Sequence, residues 1–284
     1  IAALLLLLLS QRPLLPRPGI KVSQGAMADV GKTATDLPRE GVFEEAGRSF
    51  HIRPDQQGIA ERDEEGSGFR WEREFGSLIT TAAATQNLSA WGLLDGRVFL
   101  LDRAGAVLRI FDPRQEGIDS AHACVYALAL SEQGESLAVL FGILPQYVLV
   151  YERKSGFYSL SYTRKLQGDL RSAQSAAFAR NGRSLLVKTA DGLVFFDRDR
   201  GKGALLHPGR FAGDGEMLIE GFGDDSFALL KASADQRYVG LVRHGALEAY
   251  FPLPKDSFGL IAGEDSFIIR GGERDFIFTR GEYE

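Results

Sequence analysis

The chain has 284 residues, of which 44% are hydrophobic and 25% charged, a balance that excludes a wholly disordered chain and a multi-span membrane protein. Its 33 Lys and Arg face 38 Asp and Glu, and the net charge of −5 argues against general nucleic-acid binding. The single cysteine, Cys124, excludes a disulfide within the chain and a zinc site built on several thiolates.

Residues 1–9 (IAALLLLLL) form an unbroken apolar run. Crossing a bilayer takes about 20 residues, so the run reads as the h-region of a signal peptide or the end of a membrane anchor, the chain having begun upstream of Ile1. Three prolines and two arginines in Ser10–Gly19 stop any helix there. Ala26-Met27-Ala28 has the small-x-small form of a cleavage site. Arg12, Arg17 and Lys21 follow the run and favour the cytoplasmic side, against the export that the run itself suggests. Export is the expectation. Gly25–Thr33 imitates a phosphate-binding loop, but five residues separate its glycines instead of four, and a Pro-rich stretch precedes it. Residues 10–42 therefore read as a flexible linker.

From residue 43 to residue 284 the apolar residues come in runs of four to seven, bounded by Gly, Asp, Asn and charge pairs, the signals of strands and hairpins. Leu88–Leu94 turns at Asp95-Gly96 into Arg97–Asp102, and Val107–Asp112 ends at Pro113. Val125–Leu130, Ser136–Gly142, Tyr147–Arg153 and Phe157–Lys165 follow. No stretch of the body holds a period of 3.6, which predicts almost no helix.

The strands repeat. Ala127–Val139 matches Ala176–Val187, with turn glycines Gly134 and Gly182 48 residues apart. Gly96 lies 38 residues before Gly134, Asp225 lies 43 after Gly182, and Asp265 lies 40 after that. A spacing of about 40 with three or four strands per unit is the pattern of propeller blades, each of which needs its neighbours to bury both faces. Leu128–Val139 (LALSEQGESLAV) and Gly96–Leu108 (GRVFLLDRAGAVL) resemble the repeat cores of bacterial β-propellers of the WD40-like and quinoprotein-like (PQQ-repeat) groups. The resemblance covers residues 43–284. It departs from both groups in having no Gly-His pair and no closing Trp-Asp, so it transfers no cofactor or catalytic residue.

The expected fold is thus all-β: a β-propeller of about six four-stranded blades, with five to seven open, preceded by the hydrophobic segment and the Pro-rich linker. The approximate blades are 43–76, 77–120, 121–168, 169–212, 213–255 and 256–284. The short last blade calls for a strand from the start of the domain, Phe43 or Ser49–Arg53. A β-sandwich is the alternative.

Chemistry is sparse. His51, His122, His207 and His244 show no metal-ligand spacing, and His122 beside Cys124 is the best placed of them. Asp214, Asp224, Asp225, Glu264 and Asp265 read as turn residues. The run Arg198–Gly203 reads as a solvated hairpin. No catalytic group, cofactor or metal site emerges. Leu144, Pro145, Tyr147, Tyr151, Phe157, Tyr158 and Tyr162 gather aromatic residues around one hairpin and form the candidate protein-binding surface. The expected function is a non-catalytic scaffold or assembly factor of the bacterial cell envelope, extracytoplasmic and membrane-associated, with envelope proteins as partners and no nucleic acid. The alternative is a small-molecule binder or a hydrolase or lactonase working in the central channel.

Overall fold

The computed structural model describes residues 20–25, 41–63, 68–167, 176–190, 192–206, 211, 217–232, 236–257, 259–262, 266–270 and 275–280. The apolar run 1–9, the Ala26–Ala28 motif, His207, Asp214, Glu264 and Asp265 lie outside them.

Strand β1 (Ile20–Gly25) stands first. Blade 1 follows as β2 (Gly41–Glu45), β3 (Arg48–Ile52), β4 (Gly58–Arg62) and β5 (Phe69–Glu74). Blade 2 is β6 (Ile79–Ala84), β7 (Leu88–Leu93), β8 (Val98–Asp102) and β9 (Val107–Phe111). Blade 3 is β10 (His122–Leu130), β11 (Ser136–Ile143), β12 (Tyr147–Lys154) and β13 (Phe157–Lys165). Blade 4 is β14 (Ala176–Phe178), β15 (Ser184–Thr189), β16 (Gly192–Asp197) and β17 (Lys202–Leu206). Blade 5 is β18 (Met217–Gly221), β19 (Ser226–Ala232), β20 (Arg237–Arg243) and β21 (Ala246–Leu253). Blade 6 is β22 (Gly259–Ala262), β23 (Ser266–Arg270) and β24 (Asp275–Arg280). Each of the first five is an antiparallel sheet in sequence order, and the sixth takes β1 as its fourth strand, in the order β1-β24-β23-β22. Six separate four-stranded sheets make a β-propeller and leave no sandwich. The five expected divisions between blades all fall in the connections between these sheets. Among the described residues the helical element is one 3-10 turn, Pro113–Glu116.

The strand that completes blade 6 is not where it was expected. Ile20 pairs with Arg280 and Gly25 with Asp275. Phe43 and Ser49–Ile52 instead belong to β2 and β3, which pair with each other. The segment read as linker thus supplies the closing strand and joins the start of the ring to its end.

Middle strands are buried on both faces because a blade packs on each side. β7 and β15 are buried at every position, whereas the outer strand β13 has one buried residue in nine. The period of two sends alternate residues to opposite interfaces. Leu185 packs with Leu140, Val150 and Phe196 between blades 3 and 4, and Leu186 packs with Phe195, Phe227 and Tyr250 between blades 4 and 5. Trp91 and Phe50 fill the interface of blades 1 and 2, and Phe111, Phe141 and Tyr151 that of blades 2 and 3. Each such side chain gains roughly 1.5–3 kcal/mol from burial.

The repeat glycines are explained by their turns. Gly134 and Gly182 both have φ +67°, a region that costs any other residue, and a Cβ on Gly134 would collide with Leu88 of blade 2.

Candidate functional site

Among the described residues, the first strands of blades 1 to 5 converge on one central space. The hairpins that follow these strands close with equivalent backbone bonds: Thr85 N–H to Leu88 O, Ser131 N–H to Ser136 O, Ala179 N–H to Ser184 O and Phe222 N–H to Ser226 O. Two positions earlier stand Ala83, Ala129, Ala177 and, in blade 5, Glu220. A carboxylate therefore occupies a place that three other blades give to a methyl group.

Around these positions lies a cavity of about 150 Å³. Small side chains make it: Ala82, Ala83, Ala129, Ala176, Ala177 and Gly221 line it, with Thr81, Leu128, Leu130, Phe178 and Ile219. Among the described residues that line it, Glu45, from the end of β2, and Glu220 are the ionisable ones, and none is Lys, Arg or His. Arg48 pairs with Glu45 in the β2–β3 register, but its guanidinium is turned to Glu61 at 2.9 and 2.8 Å and to the carbonyls of Thr85 and Leu88.

The electrostatics follow. Burial pushes the Glu45 carboxyl up to about 8; the Ala84 N–H, donating to Oε2 at 2.6 Å, opposes this, and the nearby Glu220 adds to it. Burial alone raises Glu220 to about 7. Both residues are half-buried, and both line the cavity. Near neutral pH the pair holds protons that ordinary carboxylates would have lost.

The residues expected to form one binding surface are not brought together. Leu144 is 58% exposed at the β11–β12 turn, with Pro145 half-buried beside it. Phe157 is 76% exposed, but it sits at the β12–β13 turn, at the opposite end of the blade. Tyr151 is fully buried, its ring 4.6 Å from that of Phe111. Tyr158 is buried and donates its hydroxyl to Gly134 O. Tyr147 packs half-buried on the core between blades 2 and 3, and the Tyr162 ring lies 4.5 Å from that of Phe196, tilted by 42°. The cluster in sequence is dispersed because β12 is a middle strand with both faces covered.

His122 is exposed at the start of β10, at the other end of the strand from the cavity. Cys124 is buried, and burial pushes its thiol up to about 11. His51 stacks on Phe69. His244 Nδ1 lies 3.5 Å from Asp225 Oδ2. Asp225 also accepts from Ser184 and Asn181 of blade 4, so it ties two blades and separates the Ser184 hydroxyl from the imidazole. Among the described residues no three His, Cys, Asp or Glu side chains gather to hold a metal.

Exposed apolar side chains recur at one end of the propeller. Leu94 follows Leu93, which pairs with Ile79, and Leu144 follows Ile143, which pairs with His122. The two leucines therefore hold equivalent places in adjacent blades. The Leu94 N–H donates to Leu78 O, and Gly96 packs against Ala123 and Phe141 of blade 3. Leu78, Leu94 and Leu144 are 39%, 47% and 58% exposed. Sequence inspection found Leu144 but missed the other two, and it missed Glu45 and Glu220.

A family described as "beta-propeller protein" matches residues 28–222, more than half of the chain. No curated protein sequence matches. Among solved structures, a complex of KlAtg21 with the coiled coil of AgAtg16 is similar at 13% identity, with a TM-score of 0.59 over 84% of this chain and 78% of that one. A chain from the crystal structure of a mitotic checkpoint complex is similar at 10% identity, with a TM-score of 0.55 over 83% and 74%. At such identities these likenesses bear on the fold alone.

Proposed function

We propose that this chain, which belongs to the β-propeller protein family, is a non-catalytic scaffold that docks a partner protein on the end of the ring bearing Leu78, Leu94 and Leu144. The observation that carries this reading is the exposure of these three leucines on one face of adjacent blades. Large side chains of this kind gain from losing water, and apolar surface clustered inside a polar rim is the usual form of an interaction site.

The scaffold stands at the bacterial cell envelope, outside the cytoplasm, held or exported by the apolar run 1–9, and its partners are envelope proteins. This placement rests on the sequence of that run. The separation of Ser184 from His244 by Asp225 supports a non-catalytic role, because the imidazole does not reach the hydroxyl it would have to activate.

The test is affinity purification of the tagged full-length protein from crosslinked native membranes, in parallel with a Leu94→Glu/Leu144→Glu variant. A stoichiometric envelope protein captured by the wild type and lost by the variant, at unchanged melting temperature, is the expected result. Absence of any partner above background, or equal capture by both proteins, overturns the reading.

A further inference from the structure

We propose that the end of the propeller opposite Leu78, Leu94 and Leu144 lies on a lipid bilayer, with Phe69, Val107, Leu108 and Phe157 entering the headgroup layer, so that the leucine end faces away from the membrane. This rests on the reading of residues 1–9 as a membrane anchor and adds which side the ring turns to the bilayer.

The chain enters the ring at that end. β1 is the outer strand of blade 6, and Ile20 pairs with Arg280, the last residue of β24. The outer strand therefore begins where the third strand stops. In blade 3 the same place belongs to Phe157, which pairs with Lys154, the last residue of β12. Blades 5 and 6 run in the same direction, because the ring of Phe222, in the β18–β19 turn, lies 5.1 Å from that of Phe267 near the start of β23. Ile20 thus stands at the Phe157 end. Ten residues separate Leu9 from Ile20, and even a fully extended chain of that length spans no more than about 40 Å. A bilayer that holds residues 1–9 is within that reach of Ile20.

Ring closure also bears on the anchor. Cleavage at Ala26–Ala28 would take β1 away and leave β24 as an open edge of blade 6. The closed ring is therefore built from a chain that is not cut there.

The surface at this end fits a lipid boundary. Phe69, Val107 and Phe157 are the first residues of the outer strands of blades 1, 2 and 3, and they are 50%, 39% and 76% exposed, with Leu108 beside Val107 at 52%. The outer strands of blades 4 and 5 begin with Lys202 and Ala246 instead. The apolar positions are thus gathered on consecutive blades. Arg153 and Lys154 come just before Phe157 and are exposed, Lys154 while it pairs at 3.2 Å with the buried Glu152. Apolar side chains with cationic heads beside them suit the boundary between acyl chains and phosphates. Glu132, Glu135 and Asp199 share this end, so the contact is made by the apolar side chains and the tether rather than by net charge.

The experiment reconstitutes the full-length protein into vesicles of phosphatidylethanolamine and phosphatidylglycerol and follows flotation. A fluorophore is placed at Ser155→Cys, in the turn before Phe157, or at Lys165→Cys, at the other end of β13, and is quenched by nitroxide-bearing lipid. The native protein, whose one cysteine is the buried Cys124, is the labelling blank. The expected result is flotation, with the Ser155 label quenched about threefold or more above the Lys165 label, the two ends of β13 being about 26 Å apart. Phe69→Asp/Phe157→Asp, folded by circular dichroism, is expected to float but to lose most of that difference; if it fails to fold, Phe157→Asp alone decides. Failure of the wild type to float overturns the membrane anchor and this orientation with it. Flotation with equal quenching at the two positions, stronger quenching at Lys165, or an unchanged difference in the aspartate variant overturns the orientation and leaves the anchor standing.

Discussion

Arg48 and Glu61 form a two-point ion pair at 2.9 and 2.8 Å, with side chains only 1% and 3% exposed, and the same guanidinium reaches into blade 2 to Thr85 O and Leu88 O. Its plane also lies over the Phe50 ring at 4.7 Å. One side chain thus satisfies a buried carboxylate and two hairpin carbonyls of the next blade. Arg48→Met leaves these acceptors without a donor and is expected to cost about 3–5 kcal/mol. Adding Glu61→Leu removes the stranded charge and recovers much of that loss. Urea unfolding of the two variants measures both, and a single variant as stable as the wild type refutes the clamp.

The cavity carboxyls give stability a pH slope. Glu45 and Glu220 hold protons in the folded state up to about 8 and about 7, while the unfolded chain releases them near 4.5. Between these limits the folded state binds more protons than the unfolded state, so stability falls as the pH rises. Asp112 and Asp225 have the opposite sign: Arg114 bonds to the first, and Ser184 and Asn181 bond to the second against its own burial, holding both below 3.8. Their contribution is present above that value and lost in acid. The melting temperature is therefore expected to decline from about pH 5 to about pH 8, and Glu220→Gln is expected to flatten the decline. A Glu220→Gln protein with the wild-type slope contradicts this.

Gly134 turns with φ +67° beside Leu88. Gly134→Ala meets both the backbone cost and a collision with a neighbouring blade, and a loss of about 1–3 kcal/mol is expected. Thermal unfolding checks it, and a neutral effect would mean that the turn relaxes.

The aromatic cluster separates into two responses. Tyr151→Ala opens a cavity beside Phe111 and is expected to cost about 3–5 kcal/mol. Phe157→Ser, at a side chain 76% exposed, is expected to change stability by less than about 0.5 kcal/mol. Equal effects would contradict the placement of these residues.

Cys124 is buried and its thiol is raised to about 11. A thiol reagent at neutral pH is expected to modify it on unfolding and to leave the native protein untouched. Rapid labelling without denaturant refutes that.

The blades were legible because each hairpin carries its own signal: Asp95-Gly96 ends one run and begins the next, and Gly134 and Gly182 mark the same turn 48 residues apart. The closing strand was not legible. Ile20–Gly25 is short, mixed in polarity and close to prolines, and its partner Asp275–Arg280 lies at the other end of the chain, so no local pattern joins them. Nor could the sequence tell a middle strand from an outer one, which is why Tyr151 read as surface. Glu220 did leave a trace, a charge in MLIEG where the aligned first strands carry alanine. The meeting of Glu45 with Glu220 depends on ring closure and could not be read.

The docking face is tested most directly by hydrogen–deuterium exchange on the full-length protein, free and bound to the captured partner. Slowed exchange confined to the loops that carry Leu78, Leu94 and Leu144 is the expected result. Protection at the Phe157 end, with the leucine loops unchanged, would contradict the proposed face.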